Sequence, residues 1–394
     1  MLPKIPQIAV FSFAYHPFEG GAELAVRQVV SRLPDFNFTV FTHKFGRNWL
    51  PREKQGNAEI IRLGKGSRQG RKYGQIWQKI LYVFRAWQEA ERLQKQRRFD
   101  VIWAVMASYG GIAALFFKLS HPRLPLFLTI QEGDSERHLR FGKFGLVGLF
   151  SGKIIKNADY IQVISVYLKD FIKKRGARAP IEVIPNGVDL KLFSTAYTER
   201  ELKAIRGNLG LSDEYVVITT SRLVPKNAVD VLIKALAFLK AHNFNIESLI
   251  IGDGPERKKL QALSRKLKVS KEILFLGQIP HNDLPLYLKV ADVFVRASRS
   301  EGLGSSFLEA MAAGVPVIGT PVGGIPDFLK DNQTGFYAKA DDPEDLAQKI
   351  KLVLRNPALK EKVVNNAREL TKEVYSWDRI AKLFKNIFDK LINT

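Results

Sequence analysis

The sequence predicts an α/β protein built from two doubly wound, parallel-sheet domains. Three observations carry that prediction. The chain has 394 residues, 46% of them hydrophobic, which is enough material for two sizeable cores. Short apolar runs alternate with segments of helical period from one end to the other, as stacked strand-helix units require. A glycine-bearing loop joins strand to helix in each half, at Gly20-Gly21 and at Gly302-Leu303-Gly304, and no short internal repeat points to a solenoid.

In chain order, Gln7–Phe13 reads as the first strand, and Leu24, Val26, Val29, Val30 and Leu33 mark the helix after Gly20-Gly21. Strand, glycine pair and helix form a backbone cradle suited to a diphosphate, although turn chemistry alone would also account for two glycines. Phe38–Thr42, Ala58–Leu63, Phe99–Ala104, Leu126–Ile130 and Ala158–Ser165 read as further strands. The segment with Ile76, Trp77, Ile80, Leu81, Phe84 and Trp87 reads as a helix that also carries Lys79, Arg85 and Arg92. Aromatic and basic side chains together suit a membrane interface; an apolar stripe turned to the core with a solvated charged face would look the same. In the second half, Val216–Leu223, Ser248–Ile251, Ile273–Gly277 and Asp292–Ala297 read as strands. Ser306–Ala313 reads as a helix that Gly314 stops and Pro316 cannot continue.

Composition excludes several classes. With no cysteine, disulfides and cysteine-ligated metals are absent, which fits a reducing cytoplasm. No secretory signal is apparent at the start. The stretch Val101–Phe117 lacks charge, but it carries Ser108-Tyr109-Gly110-Gly111 at its middle, so it reads as strand, glycine turn and buried helix rather than a span of roughly 20 apolar residues. The formal net charge is +22, which implies attraction to polyanions: lipid headgroups, nucleic acid or phosphorylated substrates. No nucleic-acid motif is present, so nucleic acid is not the expected partner.

The stretch Ser298–Gly324 concentrates the chemistry. Its loop holds Glu301, and the helix after it holds Glu309, seven residues apart in between. Gly302 and Gly304 let backbone approach a ligand, and the helix start near Ser305 offers amides and a partial positive charge to an anion. A surface loop with a capping acid would share this spacing. The whole run, however, resembles the signature of retaining GT-B glycosyltransferases of family 4: two glutamates so spaced, then Ala310-Met311-Ala312, a glycine, Pro316-Val317 and Gly323-Gly324-Ile325-Pro326-Asp327.

That resemblance implies two Rossmann-like domains facing a cleft, with a C-terminal helix crossing back. The expected domains are 1–195 for the acceptor side, joined by 377–394, and 196–376 for the donor. By resemblance, Glu309 accepts the ribose hydroxyls of a nucleotide and Glu301 contacts the transferred sugar. Arg222 and Lys226 match the family's phosphate-binding pair, with the departure that relatives carry the lysine where Asn227 stands here. Gly20 and Gly21 face the donor phosphates, and Gly302, Leu303, Gly304 and Ser305 line the donor. Most relatives carry a sugar-contacting histidine where this chain has Gln131, which keeps a hydrogen-bonding group but cannot titrate. Glu132 and Asp134 beside it are candidate acceptor-side residues. His242 and His281 read as surface or capping residues, and no cofactor or metal is expected. The expectation is a peripheral enzyme on the cytoplasmic face of the plasma membrane. It would move a sugar from a UDP-sugar or GDP-sugar to a lipid-linked or polysaccharide acceptor. The alternatives are a transferase with a small phosphorylated acceptor and a non-catalytic polyanion-binding protein.

Overall fold

The computed structural model describes residues 5–17, 20–66, 76–131, 146–211 and 214–393. Their contacts divide the chain into two units, Met1–Asn186 with Trp377–Thr394, and Gly187–Ser376. The division falls at Asn186/Gly187, ahead of the sequence-expected 195/196, because the turn Leu190–Phe193 buries Phe193 within the second unit.

The first unit holds eight strands: β1 (Gln7–Phe11), β2 (Asn37–His43), β3 (Arg52–Gln55), β4 (Ala58–Leu63), β5 (Val101–Val105), β6 (Leu126–Ile130), β7 (Tyr160–Val163) and β8 (Ile181–Val183). They lie in the order β3-β4-β2-β1-β5-β6-β7-β8. Every pairing is parallel except β3 with β4. Strands covered on both faces need continuous apolar runs, and Ile8 to Phe11 and Val101 to Ala104 are fully buried accordingly. After β5 the glycines predicted as a turn instead open the helix Tyr109–Ser120; a side chain at Gly110 would strike the Phe11 carbonyl at 2.7 Å.

The last helix, Trp377–Ile392, belongs to this first unit. It lays Trp377, Ile380, Phe384, Ile387 and Phe388 on Ile8, Val10, Phe38, Trp103 and Phe127. Those apolar positions recur at helical spacing, and burying them here completes one face of the first sheet.

The second unit has six strands, β9 (Tyr215–Thr220), β10 (Ile246–Ile251), β11 (Ile273–Gly277), β12 (Val293–Arg296), β13 (Val317–Gly319) and β14 (Phe336–Tyr337). Their order is β11-β10-β9-β12-β13-β14, all parallel. Chain order reverses between β9 and β12, so the loops leaving these neighbouring strands diverge and open a crevice at the carboxyl edge of the sheet. Arg222 lies in the first of those loops and Glu301 in the second.

Candidate active site

The loop after β9 is built by the turn after β10. Ser221 and Leu223 donate backbone hydrogen bonds to Ile251 and Asp253, at 3.0 Å each. Gly252 makes this possible: it sits at φ +128°, and a Cβ there would lie 1.9 Å from the Ser221 carbonyl oxygen. The Arg222 side chain is exposed, and Lys226 is half-buried in the short helical turn Pro225–Asn227. Asn227, where the family resemblance leads one to expect a lysine, is buried and donates its side-chain amide to the Arg222 carbonyl at 2.6 Å. Arg299 ties this loop to the next one. Its amide donates to the Lys226 carbonyl at 2.7 Å, and its guanidinium pairs with Asp230 at 2.9 Å and Asp341 at 2.7 Å.

Glu301 is buried at 9% exposure in the loop after β12. One carboxylate oxygen accepts from the Gly302 amide at 3.2 Å, and the other lies 2.5 Å from the Arg296 guanidinium. Its backbone carbonyl accepts from the Gly324 amide at 3.1 Å. The downstream Gly323-Gly324 pair therefore grips the backbone of the very residue that the sequence singles out. Leu303 is buried, and Gly304, in the left-handed region, starts the helix Ser305–Ala313. Among the described residues no side-chain hydrogen bond caps that helix start, where the helix carries its partial positive charge. Gly314 closes the helix in the left-handed conformation, as its sequence predicts.

Glu309, half-buried in the same helix, bonds His281 Nε2 at 3.0 Å. His281 in turn stands edge-on to Phe193 at 5.2 Å. The expectation that His281 is a surface or capping residue is thus corrected: its Nε2 bonds a signature glutamate. His242 does behave as expected, with Nδ1 at 2.8 Å from the Phe238 carbonyl one turn back. The structure therefore gathers Arg222, Lys226, Glu301, Gly302, Leu303, Gly304, Ser305 and Glu309 on one sheet edge. It adds Arg296 and Ser306, which sequence reasoning passed over, and gives Asn227 and His281 places there that their sequence readings did not assign.

In the first unit, Gly20 precedes the helix Gly21–Val30 at the carboxyl side of β1. The Glu23 carboxyl folds back here, and a Cβ on Gly20 would meet its oxygen at 2.5 Å. Burial raises the Glu23 pKa, and hydrogen bonds from the Glu23 and Gly20 amides act in the opposite direction. Gln131, at the end of β6, accepts from the Asn186 amide at 3.1 Å. Glu132 and Asp134 lie outside the described residues.

Chemically, the second-unit edge offers two acceptor carboxylates, a helix dipole and an exposed arginine around one crevice. That set can hold a polyhydroxyl compound bearing a diphosphate. Comparison with known proteins gives the family. Residues 19–192 match the family described as Glycosyltransferase Family 4, and residues 203–370 match Glycosyl transferases group 1. A GDP-mannose-dependent alpha-(1-6)-phosphatidylinositol monomannoside mannosyltransferase of Mycobacterium tuberculosis is 30% identical, over 74% of this chain and 76% of its own length. The chain belongs to glycosyltransferase family 4. An uncharacterized glycosyltransferase of Methanocaldococcus jannaschii is 27% identical over 96% of both chains. The solved structure of sucrose-phosphate synthase from Thermosynechococcus elongatus superposes with a TM-score of 0.85 at 22% identity, covering 98% of this chain and 99% of that one. The fold is therefore GT-B, and this family 4 member is a nucleotide-sugar-dependent hexosyltransferase.

Proposed function

We propose that this family 4 enzyme transfers a hexose, with retention of anomeric configuration, from a UDP-sugar or GDP-sugar to a lipid-linked or glycan acceptor at the cytoplasmic face of an anionic membrane. Glu309 takes the ribose hydroxyls. Arg222 and Lys226 take the diphosphate, whose growing charge must be stabilised for the sugar to leave. Glu301 meets the transferred sugar. No protein nucleophile is assigned. The acceptor oxygen bonds to the anomeric carbon on the face from which the phosphate oxygen departs, and that phosphate receives the acceptor proton. No metal is required, so activity in a chelator equals activity without it.

The observation that carries the membrane part is the helix Ile76–Arg97. It buries Tyr82, Val83, Ala86, Ala90 and Leu93, yet leaves Trp77 69%, Leu81 48% and Phe84 46% exposed. These three recur at helical spacing on one face, with the exposed Arg85 next to it, in a chain of net charge +22. Among the described residues no helix is long and apolar enough to cross a membrane. The Mycobacterium tuberculosis relative acts, by its name, on a phosphatidylinositol mannoside, which supports a lipid acceptor.

Co-sedimentation with phosphatidylglycerol and phosphatidylcholine vesicles tests this reading. The wild type should bind the anionic vesicles, release them as salt rises, and lose binding in the Trp77→Ser/Phe84→Ser variant without loss of folding. Equal binding to both vesicles, or binding unmoved by the substitutions, would refute the membrane assignment.

A further inference from the structure

Arg296 is the last residue of β12, where alternation puts Phe294 and Arg296 on the face opposite Val293 and Val295. Val293 and Val295 join the core, and Phe294 packs against Phe307 with ring centres 5.3 Å apart. An apolar residue would suit the next position on that face. Instead a guanidinium lies there, its side chain only 11% exposed. Its Nη2 is 2.5 Å from a Glu301 oxygen and donates to the Asn227 side-chain oxygen at 3.2 Å. Its Nη1 donates to Ser306 Oγ at 2.8 Å. One side chain thus ties together the loop after β9, the loop after β12 and the first turn of the helix Ser305–Ala313.

This arrangement is poor as a stabilising device. Arg296 Nε is buried without a hydrogen-bond partner, and the Glu301 oxygen that faces the guanidinium is paired by charge without a hydrogen bond. A buried ion pair with unfilled hydrogen-bonding capacity is often no better for stability than apolar side chains of similar volume. Its geometry instead fixes the Glu301 carboxylate from below, while Glu309 is held separately by His281.

We propose that Arg296 is a positioning residue that holds the Glu301 carboxylate for the sugar of the donor and has no part in holding the nucleotide. The inference rests on the donor-site reading above. It follows that the sugar end and the nucleotide end of the donor are set by different anchors, and that a change at Arg296 separates them.

The test is calorimetric titration of UDP, GDP, UDP-glucose and GDP-mannose into wild type, Arg296→Lys, Arg296→Met, Glu301→Gln and the Arg296→Met/Glu301→Gln double variant. The readout is the ratio of nucleotide-sugar affinity to nucleoside diphosphate affinity. Arg296→Met should lower that ratio about tenfold, in the range of couplings between contacting residues, with diphosphate affinity unchanged. Arg296→Lys should recover part of the ratio. The double variant should show no further fall, because both changes remove the same contact. It also guards against misfolding, since removing both charges avoids the lone buried carboxylate that Arg296→Met leaves. Equal weakening of diphosphate and nucleotide sugar, or additive losses from the two single changes, would overturn the proposal. A wild type that binds none of the four would instead overturn the donor-site reading on which it stands.

Discussion

Alanine at Gly323 is the perturbation whose effect can be worked out most fully. Gly323 sits at φ +57°, and a Cβ there would fall 1.9 Å from the Glu301 carbonyl oxygen and 2.9 Å from its carbon. Carbon–oxygen contacts settle no closer than about 3.3 Å, so a gap of roughly 1.4 Å has to open. The obstructing atom belongs to backbone and has no flexible end to move aside. Glu301 itself must shift, and with it the bond from the Gly324 amide to the same oxygen. Displacement of a reacting group by about 1 Å can cost on the order of 100-fold in rate.

The left-handed backbone adds about 1–2 kcal/mol of strain for a residue with a Cβ. Gly56 isolates that second contribution: its φ is +58°, yet nothing lies within 4 Å of a Cβ built there. Gly56→Ala should therefore lower stability by about 1–2 kcal/mol and leave transfer from the preferred donor unchanged. Gly323→Ala should lower stability further and cut transfer by about 100-fold. Urea unfolding and an initial-rate assay on both variants check this. If the two variants behave alike in both measurements, the account of Gly323 as the grip on Glu301 is wrong.

Two other perturbations have defined outcomes. His43 is buried, stacked on Phe13 with ring centres 5.3 Å apart, and burial followed by the charge of Arg85 depresses its pKa to about 4. The stability from keeping it neutral is present above its ordinary value of 6.5 and is lost as pH falls toward about 4. That loss should be on the order of 1–3 kcal/mol in urea unfolding and absent in His43→Phe; identical pH profiles would refute it. Phe388 is fully buried, with ring centres 5.4 Å from Trp103 and 5.6 Å from Phe127. Phe388→Ala should cost about 3–5 kcal/mol, and a much smaller loss would contradict the placing of the last helix in the first unit's core.

Much of the fold could be read in the sequence because parallel strands buried on both faces must be continuously apolar, and the chain writes them so at Ile8–Phe11 and Val101–Ala104. The Ser305–Ala313 helix was legible for a different reason: a glycine at each end leaves little freedom for its boundaries. The edge strand β3 was not legible, since Arg-Glu-Lys-Gln carries no apolar alternation and is set only by pairing with β4. Glu301 and Glu309 stood out through spacing along the chain. Their partners did not: His281 meets Glu309 from another element, and Arg296 reads locally as an odd charge closing an apolar strand. Asn227 had a signal, the lysine missing from its position, but only its buried bond to the Arg222 carbonyl gives that substitution a physical role. The helix Ile76–Arg97 left two readings open because periodicity gives the apolar stripe without saying which part is covered. In the structure Tyr82 and Val83 go inward, and Trp77, Leu81 and Phe84 face outward.

The central claim is that the carboxyl edge around Glu301 and Glu309 binds a nucleotide sugar. Thermal unfolding with UDP, GDP, UDP-glucose and GDP-mannose, on wild type and Glu309→Ala, tests it most directly. Ligand of one base, at about 100 times its dissociation constant, should stabilise the wild type by about 2.7 kcal/mol, and Glu309→Ala should abolish that gain. No stabilisation by any of the four, or the same stabilisation in Glu309→Ala, would contradict the account.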